Sequence, residues 1–240
     1  MSGTRLGATR ETHDVVSSTM EPAAAAARAG AADGHVVLAR RQTAGRGRTG
    51  RVWHSDDDGG LYLSVVLRGF DGPTGAAGLT LAAGLGVAAA VRRLGTADVR
   101  LKWPNDVLLG ERKVAGILSE WLGEGTAVVG VGLNVGQTAF PAELAATATS
   151  LALATGAAPT PEAELEVLLE ALGGAVAAFR TGGLAWVVPE WTGRSGLWGR
   201  RCTVAGVTGV LRRLDPDGAL VLESDDGTER RLTAGAVELL

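Results

Sequence analysis

The sequence predicts an α+β protein: a mixed, mostly antiparallel sheet with helices packed on it, followed by a small β-barrel. Three observations lead there. Residues 99–135 hold apolar, β-prone runs joined mostly by short turns. After Pro161, Leu165, Leu168, Leu169, Leu172, Val176 and Phe179 recur at the spacing of one helix face. Beyond Gly199 only short β-prone runs remain, separated by Asp215-Pro216-Asp217-Gly218 and Asp225-Asp226-Gly227, which is the punctuation of a small barrel.

Taken in order, residues 1–13 carry no apolar pattern and read as a loose tail. Ser18-Thr19-Met20-Glu21, then Pro22 and an alanine run, is a helix start. Ser18 is the expected cap, Glu21 stands three residues on, and Gly30 is the stop. His35–Arg40 and Leu61–Arg68 read as strands, and Gly75–Leu94 as a buried helix. Val99–Trp103 is a strand and Pro104-Asn105-Asp106 a turn; Val107–Leu109 and Lys113–Leu122 form a hairpin, and Ala127–Val135 another strand. The helix after Pro161 is followed by a shorter one over Gly182–Gly193. A domain boundary falls near Gly193–Trp198, giving units of 1–195 and 196–240.

Composition bounds the function. The chain has 240 residues, 46% of them apolar and 20% charged, enough for one large domain or one with an appendage. A net charge of −3 argues against a dedicated nucleic-acid binder. The single cysteine, Cys202, excludes an intrachain disulfide and any multi-cysteine zinc site, and fits a reducing compartment. The charge-free stretches Gly125–Ala142 and Leu144–Pro161 are interrupted by Gly, Thr, Asn or Pro, so neither predicts a membrane span, and no signal peptide is visible.

The most informative stretch is Gln42-Thr43-Ala44-Gly45-Arg46-Gly47-Arg48-Thr49-Gly50-Arg51-Val52-Trp53, inside a long polar segment, 42–60. Its glycines permit close backbone approach to a ligand. Its three arginines repel one another until an anion with several oxygens arrives, and Trp53 offers a flat surface for a ring. The alternative is a solvated flexible loop. Gly45, Gly47 and Gly50 satisfy G-x-G-x-x-G, but the following His54-Ser55-Asp56-Asp57-Asp58-Gly59-Gly60 cannot open the helix a dinucleotide site needs. With Val52 they also satisfy the kinase glycine-loop pattern, yet no H-R-D or D-F-G follows. A phosphate or RNA binder would use this one cluster alone.

A second group is Lys102-Trp103-Pro104-Asn105-Asp106 with Lys113-Val114-Ala115-Gly116-Ile117-Leu118. A lysine in an apolar strand either snorkels or meets an anion, and Gly116 either makes room for a ligand or marks a bulge. The third, Gly130-Val131-Gly132-Leu133-Asn134, places glycines on one strand face, with Asn134 either at a ligand or closing a turn.

Ser18-Thr19, the Gly45–Arg51 loop with Trp53, Lys102–Asp106 with Lys113–Leu118, and Gly130–Asn134 together resemble biotin–protein ligase (biotin–acetyl-CoA-carboxylase ligase), from about residue 14 to the C-terminus. The resemblance implies a class II synthetase-like ligase core with an SH3-like C-terminal barrel. It also implies a monofunctional, cytoplasmic enzyme without a DNA-binding domain, a monomer or weak homodimer. Its substrates would be biotin and ATP with Mg2+, and the reaction would run through biotinyl-5′-AMP to a lysine of a biotin carboxyl carrier domain of an acyl-CoA carboxylase. By resemblance, Ser18, Thr19, Met20, Gln42, Gly45, Gly47, Gly116 and Gly130 surround biotin. Arg46, Arg48 and Lys113 would hold its carboxylate and then the acyl phosphate, as the catalytic set. Arg51, Trp53, Lys102, Asn105, Asp106 and Asn134, with Arg46 and Arg48, would form the nucleotide side, and Asp106 would assist magnesium. Met20 stands where the family commonly has Asn or a similar polar residue. A lipoate–protein ligase shares this architecture and is the related alternative.

Overall fold

The computed structural model describes residues 5–55, 57, 59–70 and 72–240. Residues 1–4 of the expected tail, and Asp56 and Asp58 of the long polar segment, lie outside them. Seven strands form the main sheet: β1 (Arg10–Val16), β2 (Val36–Gln42), β3 (Gly60–Arg68), β4 (Val99–Lys102), β5 (Asp106–Leu109), β6 (Arg112–Gly123) and β7 (Thr126–Asn134). Their order is β1-β2-β3-β7-β6-β5-β4. Only β1 runs parallel to its neighbour; every other pair is antiparallel.

The tail expectation is corrected for residues 5–13. Leu6 is buried, and β1 extends from Arg10 along β2. An edge strand with polar residues on most positions carries no period-two signal, so Arg10-Glu11-Thr12-His13 reads as coil in isolation.

Helices cover both faces of the sheet, and strand alternation sorts the residues between them. On one face lie α2 (Gly72–Arg93) and the long α4 (Pro161–Ser195), over Val36, Val65, Leu67, Ile117, Val129 and Val131. On the other lies α1 (Met20–Arg28), whose Met20, Ala23 and Ala27 pack on Val37, Val66 and Val128. Glycines bring α2 and α4 close: a Cβ at Gly86 would stand 2.8 Å from Leu172 Cα. By length and composition, Gly75–Arg93 and Pro161–Ser195 would each reach across a membrane, which the charge-free stretches did not predict; the apolar window of the first is 78% buried inside this protein. The two helices expected after Pro161 are present as one assigned helix broken at Gly183, whose φ of 55° and ψ of −150° are not helical.

Ser18 does contact the start of α1, its Oγ accepting from Met20 N–H at 3.4 Å, although the N-cap position falls one residue later. Thr19 occupies the N-cap in αR conformation with no side-chain cap bond, and Ser17 instead donates to Glu21. A short helix α3 (Leu151–Thr155), capped by Ser150 Oγ accepting from Leu153 N–H at 3.0 Å, went unpredicted.

The C-terminal segment forms a second, five-stranded antiparallel sheet in the order β11-β10-β9-β8-β12, from β8 (Arg201–Val204) through β9 (Val207–Leu214), β10 (Leu220–Ser224) and β11 (Glu229–Leu232) to β12 (Glu238–Leu239). Its inner residues Cys202, Leu211, Leu220 and Leu222 continue the same apolar cluster that fills the space beneath the main sheet.

Candidate active site

Beyond the end of α1 the same sheet face is left open, because its residues are small. Gly116 and Gly132 pair across β6 and β7, and Gly130 pairs with Leu118 and with Ser64. A Cβ at Gly132 would stand 2.4 Å from Trp53 Cε2, one at Gly116 2.8 Å from Trp53 Cζ3, and one at Gly130 2.7 Å from Met20 Sδ. The glycines therefore form a floor on which the Trp53 indole and the Met20 thioether lie. The Trp53 Nε1 is buried without a hydrogen-bond partner.

A bulge brings Lys113 to this floor. Val107 pairs with Ala115, but Leu108 pairs with Lys113, so Val114 is the extra residue. Val114 and Ala115 both face the core, while Lys113 shares the floor side with Gly116, its partner Asp106 and Leu108. The Lys113 ammonium stands 2.6 Å from Asp106 Oδ1 and 5.1 Å from the Trp53 ring centroid. Lys102 reaches Asp106 Oδ2 at 3.6 Å.

The arginine segment folds as a small hairpin. Arg46 bridges Val52, Gly47 N–H donates to Arg51 O at 2.7 Å, and Thr49 (φ 53°) and Gly50 (φ 76°) turn the tip through the left-handed region. The expected repulsion is met by acidic neighbours from elsewhere in the chain: Arg46 pairs with Glu120, Arg51 lies 3.8 Å from Glu238, and Arg48 faces the charge of Asp106. Burial pushes the Arg48 guanidinium below its ordinary pKa, with Asp106 opposing the shift.

The deep end is a buried polar chain. Gln42 Oε1 accepts from Thr19 N–H at 2.8 Å, Gln42 Nε2 donates to Ser55 Oγ at 3.0 Å, and the Thr19 and Ser64 hydroxyls bond at 2.8 Å. These contacts tie the start of α1, the end of β2, β3 and the return of the hairpin together.

All this encloses one cavity of about 600 Å³. It brings together Ser18, Thr19, Met20, Gln42, Arg46, Gly47, Arg48, Arg51, Trp53, Lys102, Asn105, Asp106, Lys113, Gly116, Gly130 and Asn134. Gly45 is the exception among the sequence candidates. It lies at the base of the hairpin, where a Cβ would stand 2.4 Å from Trp53 O. Two residues also have structural partners: Asn105 Nδ2 donates to Ile117 O at 2.9 Å, and Asn134 Nδ2 to Thr149 O at 2.9 Å.

Sequence reasoning missed two walls. Phe140, Leu144, Thr147 and Ala148 come from an irregular segment that Lys113 draws in, its N–H bonding Thr147 O and its carbonyl accepting from Thr149. The length of that charge-poor, aperiodic segment was the one available signal. Residues 235–239, which lead into and include β12, form the other wall, in a segment too short to show a period.

The profile of the family described as "Biotin/lipoate A/B protein ligase family" matches residues 13–136. The chain is 33% identical to the bifunctional ligase/repressor BirA of Bacillus subtilis, over 92% of this chain and 71% of that one. It is 40% identical to the biotin–[acetyl-CoA-carboxylase] ligase of Mycobacterium tuberculosis, over 80% of this chain and 74% of that one. Among solved structures, biotin protein ligase from Aquifex aeolicus in complex with biotin and ATP superposes with a TM-score of 0.85 at 29% identity, covering 97% of this chain and 99% of that one. With the glycine floor, the hairpin and the paired lysines in one cavity, the chain belongs to the biotin/lipoate A/B protein ligase family, as a biotin–protein ligase.

Proposed function

We propose that this ligase joins biotin to ATP and then passes biotin to a lysine of a biotin carboxyl carrier domain of an acyl-CoA carboxylase. A biotin carboxylate oxygen attacks the α-phosphorus, the bond to pyrophosphate breaks, and biotinyl-5′-AMP forms. The carrier amine then attacks the acyl carbon and AMP leaves. No protein nucleophile is required; the chain's task is to hold two anions together and stabilise charge on the α-phosphate. The observation carrying this reading is the convergence of Arg48, Lys102 and Lys113 beside a glycine floor in one cavity.

In this assignment Ser18, Thr19, Met20 and Gln42 bound the ureido end of biotin, and Gly116 and Gly130 shape its slot through the Trp53 and Met20 side chains that rest on them. Arg46, Arg48 and Lys113 take the carboxylate and later the acyl phosphate. Arg51, Trp53, Lys102, Asn105, Asp106 and Asn134 take the nucleotide. Biotin is favoured over lipoate because the deep end is polar: Ser18, Thr19 and Gln42 are all buried there. A ureido group has donors and an acceptor to offer them, and a dithiolane has neither.

Magnesium enters as MgATP, held chiefly by the phosphates. Among the described residues no cluster of three His, Cys, Asp or Glu is placed to hold a metal, and both Asp106 oxygens already meet ammonium groups. Asp106 is assigned both to orienting the two lysines and to assisting the magnesium that ATP brings, since one carboxylate beside substrate phosphates suffices for that ion. We divide the chain into a ligase unit, 1–195, and an SH3-like unit, 196–240; α4 ends at Ser195 and, among the described residues, the second sheet pairs within itself. A lone buried thiol, Cys202, and ATP as substrate suit a cytoplasmic reaction.

The test is biotin-dependent exchange of labelled pyrophosphate into ATP, with lipoate as competitor. Exchange driven by biotin, and a bound acyl-adenylate detected by mass, are the expected results. Folded protein that exchanges with lipoate alone, or with neither acid, sinks the proposal.

A further inference from the structure

Trp103 belongs to the Lys102–Asp106 turn and borders the cavity, but has no assigned part in binding or chemistry. Its side chain is 4% exposed, and its indole N–H donates to Gly218 O at 3.1 Å, across 115 residues of chain. Gly218 closes the β9–β10 hairpin of the C-terminal sheet.

That acceptor is firmly held. Gly218 N–H bonds Asp215 O at 2.8 Å, and Asp215 N–H bonds Ala219 O at 2.8 Å. Arg231 grips both Asp215 and Asp217. Gly218 has φ of 84°, and a Cβ there would stand 2.9 Å from Leu81 Cδ1 of α2, so the turn is wedged against the helices below the main sheet. The other restraints on the 102–106 turn come from the main sheet. Lys102 pairs with Asp106, and Asn105 exchanges bonds with Ile117, O to N–H and Nδ2 to O, at 2.9 Å each. Among the described residues, the Trp103 bond is the one hydrogen bond of this turn that reaches the other sheet.

We propose that Trp103 is a positioning residue through which the C-terminal sheet sets the nucleotide side of the site. The hairpin at Gly218 fixes the indole, the indole fixes the turn, and the turn aims Lys102, Asn105 and Asp106 into the cavity. This rests on the ligase reading for the identity of the nucleotide, not for the mechanical link.

The test removes the N–H and keeps the shape, by replacing Trp103 with benzothienylalanine. A neutral hydrogen bond is worth about a factor of five in an equilibrium. Amide exchange in peptides covering 99–109 and 215–220 is expected to quicken by about that factor, with 10–42 unchanged. In the pyrophosphate exchange assay the KM for ATP is expected to rise about fivefold while the KM for biotin holds. A fluorinated tryptophan, which keeps the N–H, restores both. Unchanged amide exchange overturns the link. Faster amide exchange or a lower Tm with an unchanged KM for ATP overturns the positioning role, leaving Trp103 merely structural. Wild-type protein without biotin-dependent activity sinks the ligase reading, and the amide-exchange arm still decides the link.

Discussion

Lys113 stands 2.6 Å from Asp106, on the floor side of a strand whose alternation is broken between them and the core. Asp106 holds two ammonium groups at the point where the proposed carboxylate and phosphates meet. The Asp106 side chain keeps the lysines in place and limits their mutual repulsion until a phosphate arrives.

Lys113→Ala and Arg48→Ala should each lower biotin-dependent pyrophosphate exchange about 10²–10³-fold, the scale for losing a group that stabilises transition-state charge. Both side chains border the cavity rather than fill the core, so denaturant midpoints should move little. Full activity in both variants would refute their roles.

Gly132→Ala should displace the indole of Trp53, since the new Cβ would lie 2.4 Å from it. Overpacking of this kind costs about 1–3 kcal/mol. A shifted tryptophan emission spectrum together with weakened biotin binding is expected. An unchanged spectrum would mean that the ring does not rest on that floor.

Gln42→Ala strips partners from both Thr19 N–H and Ser55 Oγ. Stranding buried polar groups costs about 1–3 kcal/mol, read in urea unfolding. Biotin affinity should fall with it, and a variant as stable as the parent would contradict the polar chain described here.

Burial pushes the Cys202 thiol up to about 11. Its folded pKa is raised, so the folded state keeps a proton that the unfolded chain begins to release near pH 9. The stabilisation is whole below that pH and drains away as pH climbs toward 11. Urea midpoints should therefore decline over that range, and less so in Cys202→Ala. The native thiol should resist a disulfide reagent at pH 8 and react once unfolded.

Much of the sheet was legible because its strands are buried and uninterrupted. Leu61–Leu67 and Thr126–Val131 are buried on both faces, and their apolar runs are bounded by turn residues. The polar edge strand β1, the five-residue α3 and the two-residue β12 carry too little periodicity to be seen. Within the cavity, glycines and cations announce themselves by being costly elsewhere. Phe140, Leu144 and residues 236–239 are ordinary residues that only tertiary folding delivers. The acidic partners Glu120 and Glu238 were invisible for the same reason, so the arginine hairpin was expected to need a ligand to settle.

The extra residue at Val114 has a reach beyond this cavity. On an even-stepping ribbon, two groups three apart look opposite ways, so the Lys113–Gly116 interval would be useless in a regular ladder. An odd interval between partners wanted on one side is thus a written instruction for a local miscount. Protein engineers trimming or padding β6 would have to preserve that miscount, not merely the residues on either side of it.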